Sequence, residues 1–90
     1  MDINLLKKYL KIDDDITDMD DILVGYLAAA ETYITNAGCK VDYSNKLCEI
    51  IIVILVTKMV ENPDILTVKH AENTGITLHG MIAQLRMSQG

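Results

Sequence analysis

The sequence predicts an all-α fold, a small bundle of about four helices around a central apolar helix, with an irregular segment between the third and last helices. Three observations lead there. Residues 44–63 carry seven consecutive apolar residues, Ile50 to Val56, between a capping Ser44 and the stop signal Pro63. That span is too long for an ordinary strand, although Ile and Val favour one locally. Ile16, Met19, Ile22, Leu23, Tyr26, Leu27, Ala30, Tyr33, Ile34 and Ala37 recur at helical spacing as one continuous stripe. The connector from Lys40 to Tyr43 is so short that the helices it joins must be antiparallel neighbours. The chain of 90 residues is expected to be a single domain, 1–90, large enough for a core without disulfides or metal.

Taken in order, Asp2 is placed to cap a first helix running to about Leu10. Ile3, Leu6 and Leu10 share its inner face, and Lys7, Lys8 and Lys11 are expected in water. Six Asp in the nine residues from Asp13 to Asp21 then offer caps and first-turn acids to a second helix. That helix is expected to begin near Ile16 or Thr17 and run to Ala37. Its outer side holds Asp18, Asp21, Ala28, Glu31, Thr32 and Thr35, and the small residues Gly25, Ala28 and Ala29 would let another backbone come close. Gly38 suits a left-handed C-terminal position.

The third helix is apolar on nearly every side, so it should be covered by the others, each buried aliphatic side chain contributing roughly 1.5–3 kcal/mol. Lys46, Glu49, Lys58 and Glu61 bound its apolar run too closely for a membrane span, which needs about 20 apolar residues. Residues 64–75 have no clear register, although Ile65, Leu66 and Val68 are apolar. A last helix over about Leu78–Met87 places Leu78, Ile82 and Leu85 on one stripe with Met81 beside it, and Ser88, Gln89 and Gly90 are expected to fray.

Composition narrows the function. There is no Phe or Trp, so the core is aliphatic, with Tyr9, Tyr26, Tyr33 and Tyr43 its aromatics. A net charge of −5 with one Arg and seven scattered Lys disfavours a generic phosphate-backbone binder. Two cysteines, Cys39 and Cys48, make no disulfide framework and fit free thiols in a reducing compartment. The N-terminus lacks the basic and apolar regions of a signal peptide, which points to a soluble protein made inside the cell.

No chemical motif completes itself. Asp13, Asp15 and Thr17 alternate as in a calcium loop, but Asp18 stands where Gly is needed and Val24 where Glu is needed. Cys39, Cys48, His70 and His79 have no structural zinc spacing, and nothing sets either thiol beside a histidine and an orienting group. Carboxylate pairs occur only in the acidic run, where exposure leaves them ordinary acids. No catalytic residue, metal ligand or cofactor is therefore assigned, and the chain is not expected to be an enzyme.

Four segments carry a resemblance. They are L-L-K-K-Y-L-K-I-D-D-D at residues 5–15, Y-L-A-A-A-E-T-Y-I at 26–34 with its A-A-x-x-Y-I pattern, M-V-E-N-P at 59–63 and I-A-Q-L-R at 82–86. In this order and spacing the chain resembles the small head–tail connector proteins of tailed bacteriophages, also called DNA-packaging or head-completion proteins. It departs from the family pattern at Met59 and Val60, where many members carry an aromatic pair. The resemblance implies a structural virion protein at the head–tail junction, made in the bacterial host cytoplasm or encoded by a prophage. It would form a ring beneath the portal, with the portal protein and a tail or stopper protein as partners. DNA would pass through without being read, no membrane would be involved, and no cofactor is implied.

A ring is head-to-tail, so two different surfaces of each subunit must be complementary. The 64–78 segment is the expected source of one of them, through Ile65, Leu66, Val68, Ile76 and Leu78, because exposed apolar residues there would otherwise be a liability. The alternatives are a cover for this chain's own core, or a small intracellular helical adaptor or regulator that binds a protein through the second helix. A helix-turn-helix reader would need a basic recognition helix, and the last helix has Arg86 alone.

Overall fold

Asp2 opens the first helix as its sequence position suggests, its carboxylate accepting from the Asn4 N–H at 3.0 Å. The computed structural model describes residues 1–62 and 76–89. They form α1 (Ile3–Leu10), α2 (Asp20–Asn36), α3 (Lys46–Glu61) and α4 (Ile76–Ser88), with no strand among the described residues.

α1 and α2 end by the same device. Beyond α1, Lys11 takes a left-handed conformation at φ 61°, its N–H donates to Lys8 O and the Ile12 N–H donates to Lys7 O at 2.9 Å. Beyond α2, Gly38 sits at φ 91°, its N–H donates to Thr35 O and the Cys39 N–H donates to Ile34 O at 3.0 Å. This paired pattern satisfies carbonyls that a helix end otherwise leaves bare. The lysine bears a steric cost that glycine does not, and Ile12 returns to pack against the core in exchange.

The second helix starts at Asp20, later than the apolar spacing suggests. Residues 13–19 are taken up by two turns, closed by Ile16 N–H to Asp13 O and Asp20 N–H to Thr17 O. Met19 is the cap residue and supplies no side-chain bond, so neither an aspartate nor a threonine caps this helix. Asp20 and Asp21 do occupy its first turn, where the helix dipole favours anions. The cap of α3 is likewise Asn45, whose side chain accepts from the Leu47 N–H at 3.0 Å. Ser44 is committed elsewhere, since its N–H and hydroxyl both donate to Asp42 Oδ1. Those bonds hold the Asp42 carboxyl below its ordinary range.

α3 packs against each of the other three helices, most extensively against α2. Cys48, Ile51, Ile52, Leu55, Val56 and Met59 meet Leu6 of α1, Leu23, Leu27, Ala30 and Ile34 of α2, and Leu78, Ile82 and Leu85 of α4. The covering of α3 is not complete. Lys46, Ile50 and Glu61 are exposed, with Val53, Ile54 and Thr57 half-buried between them. The tyrosines stay at the margin of this aliphatic core, none of them fully buried.

Ser88 and Gln89 are tied down, contrary to the fraying expected of them, and Gly90 lies outside the described residues. The Gln89 side chain accepts from the Lys40 N–H at 2.8 Å and donates to Lys40 O at 2.7 Å. Asn45 donates to the Ser88 hydroxyl at 3.4 Å. The physical reason is reciprocal need: the connector between α2 and α3 has a backbone donor and acceptor outside any helix, and a primary amide satisfies both at once.

Candidate interaction surfaces

Lys7 is the polar residue that organises this bundle, and it is 1% exposed rather than hydrated. It lies one turn from Ile3 on the inner face of α1. Its ammonium donates to Ile16 O at 2.7 Å and to Asp14 O at 3.5 Å, and lies 2.6 Å from Asp20 Oδ1. The Asp20 oxygen is solvent-free and has no aligned hydrogen bond, so the contact is an ion pair made by proximity. A buried cation is tolerated only when paired and bonded in this way. The turn after α1 is therefore folded around an internal charge.

That arrangement turns the other acids outward. Asp13, Asp14, Asp15, Asp18 and Asp21 are all exposed. Beside them, α2 presents an open outer face. Ile22 is 49% and Val24 53% exposed, and a Cβ placed on Gly25 would meet nothing within 4 Å. Ala28, Thr32 and Thr35 continue this face. The two threonine hydroxyls donate back to Ala28 O and Glu31 O, so they need neither water nor a partner.

A second open face runs across α1 and α3. Tyr9 and Lys46 meet through a 3.3 Å bond from the ammonium to the phenol oxygen, and Leu5 and Ile50 stand one turn from each of them. Leu5, Tyr9 and Ile50 are all exposed large hydrophobic residues. Thr57, farther along α3, bonds its hydroxyl back to Val53 O at 2.7 Å. Lys46 also pairs with Glu49, which is buried, at 3.0 Å. That carboxylate first, and the Tyr9 phenol second, raise the Lys46 ammonium above its ordinary range.

Of the residues expected to form a subunit contact, Ile65, Leu66 and Val68 lie outside the described residues. Ile76 opens α4, and its side chain is also outside them. Leu78 is 5% exposed and packs in this chain's own core. The thiols are absorbed by structure. Cys39 Sγ donates to Ile82 O, while Cys48 Sγ faces Lys40 O and accepts from the Asp42 N–H. Among the described residues no three His, Cys, Asp or Glu side chains converge as a metal site would require, and no helix is long and apolar enough to cross a membrane.

Tyr43 donates to Glu31 Oε2 at 2.6 Å and bridges the connector to α2. Burial first, then the bonded carboxylate, pushes its phenol well above the ordinary range. The described surfaces thus comprise two separate apolar faces and one acidic turn. Compared with known proteins, the chain matches no family model, no curated protein and no solved structure.

Proposed function

We propose that this chain is a structural virion protein of the head–tail connector kind, assembling as a ring below the portal to join the DNA-filled head to the tail. The observation that carries this reading is the pair of open apolar faces, on α2 and on α1–α3, within so small a protomer. A head-to-tail assembly needs two unlike surfaces on each subunit, whereas a two-fold dimer reuses one. The net charge of −5 adds to it, because like charge disfavours adhesion to a DNA backbone passing through. The four segments of resemblance contribute core residues, among them Leu6, Leu27, Ala30, Ile34, Met59, Ile82 and Leu85, so they speak to the fold that presents these faces.

The test is recovery of the tagged chain from infected or induced host cells. The expected result is co-purification with the portal protein and presence of the chain in purified particles by mass spectrometry. Its absence from particles, or catalytic turnover by the pure protein, overturns the reading. The open α2 face also suits an adaptor that grips one other protein. That alternative predicts a one-to-one complex with a non-virion partner in the same pull-down.

A further inference from the structure

The two open faces match one another in length and in charge order. On α3, Lys46 stands at the N-terminal end of the exposed stripe, and Glu61 stands at the C-terminal end with the exposed Lys58 one turn before it. On α2, Asp21 stands at the N-terminal end of the outer face, preceded by Asp18, and the exposed Lys40 follows its C-terminal end. At the helical rise, Asp21 to Thr35 spans about 21 Å and Lys46 to Glu61 about 22 Å. Lys8 of α1 is a second exposed cation, one turn from Leu5 at the edge of this face.

We infer that the α1–α3 face is the seat for α2 of a second copy of this chain, with the incoming helix parallel to α3. This rests on the ring reading and names the surfaces that would build it. In that register the incoming Asp18 and Asp21 meet Lys46 and Lys8, and the incoming Lys40 lies toward Glu61. The reverse direction sets Lys40 against Lys46 and brings the aspartates to Glu61 as well as to Lys58, so charge favours the parallel polarity. The apolar fit follows. Ile22 and Val24 flank a shallow track of Gly25 and Ala28, and Ile50 is the ridge that enters it. Thr32, Thr35 and Thr57 carry hydroxyls already bonded within their own helices, so closing the faces strands none of them. Because each copy offers both faces, a contact made through one of them leaves the other open for the next copy.

The experiment is light scattering after size exclusion on the full chain across a concentration series, with melting curves recorded alongside. For the unmodified chain the mass should rise above the 10.0 kDa of one protomer as concentration rises. Gly25→Gln fills the track from outside the fold and improves helix propensity, so its melting temperature should hold or rise. Its apparent dissociation constant should increase about tenfold or more. Lys46→Glu and Asp21→Lys should each weaken association alone, and an equimolar mixture of the two should associate again. That recovery cannot come from a misfolded variant.

A rising mass that Gly25→Gln and the mixed variants leave unchanged overturns the inference while leaving a ring built through other surfaces. A mass fixed at one protomer throughout also overturns it. Recovery with the portal protein then decides the ring reading separately.

Discussion

At the N-terminal corner a fully buried ammonium gathers the turn between α1 and α2. At the C-terminal corner a half-buried primary amide gathers the connector between α2 and α3. Lys7 meets its partners without water, so its loss is an electrostatic event inside the protein. Gln89 meets Lys40 at the surface, where water stands ready to replace it. The same task of holding a loop to a helix is thus done once by a charge that must be paired and once by a neutral group that need not be.

The sharpest way to break the first corner is to remove its anion. Asp20→Ala leaves Lys7 charged and buried, and should lower unfolding free energy by about 3–5 kcal/mol. Lys7→Met should cost less, about 1–3 kcal/mol, because the orphaned Asp20 side chain is 34% exposed and can rehydrate. Urea denaturation of both variants checks the order, and a larger loss in Lys7→Met would contradict the account of which partner is trapped.

Next in size is Gly38→Ala at the second corner. Gly38 is left-handed, and an added Cβ would lie 3.3 Å from Arg86 Cδ. About 1–2 kcal/mol should be lost in the same titration. Gln89→Ala should cost about 1 kcal/mol, with faster amide exchange at Lys40 as its local signature. A loss as large as that of Asp20→Ala would erase the contrast between the corners.

The smallest effect belongs to pH. The Tyr43 phenol is raised in the folded state, so its contribution is fully present below its ordinary pKa of about 10 and is lost as pH climbs from there toward the folded value. Thermal midpoints from neutral pH to about pH 11 should therefore fall, and Tyr43→Phe should fall less steeply. Parallel curves would show that another group governs the alkaline limit.

The helices themselves were legible because their signals are local. Asp2, Gly38 and the Leu78, Ile82 and Leu85 stripe act within a turn or two of chain, and the structure places all of them as their spacing suggests. Lys7 departs from the exposure its charge suggests, because Asp20 and two backbone carbonyls satisfy that charge inside the protein. Its position held the correcting signal, since it falls one turn after Ile3 and one before Leu10, on the apolar stripe of α1. The late start of α2 follows from the same residue, whose ammonium binds Ile16 O and accompanies the turns that replace a first helical turn. Gln89 gave no such clue, because its partner Lys40 is 49 residues away and is a backbone group that any residue would supply. For the surfaces, the outer side of α2 was legible, since Gly25 and Ala28 fall off its apolar stripe and both are exposed. The α1–α3 face was not, since the apolar run of α3 looks the same whether a side is covered or bare.

One consequence of the inward-pointing lysine concerns how shape and charge are divided along residues 13–21. The backbone course of that stretch is gripped from within, through carbonyl oxygens and the single carboxylate of Asp20. The remaining five carboxylates make no side-chain bond to any described residue. The outline of the loop and its electrical character are therefore separately adjustable, so evolution or a protein engineer can retune the field around the molecule at those positions without redrawing the scaffold that carries it.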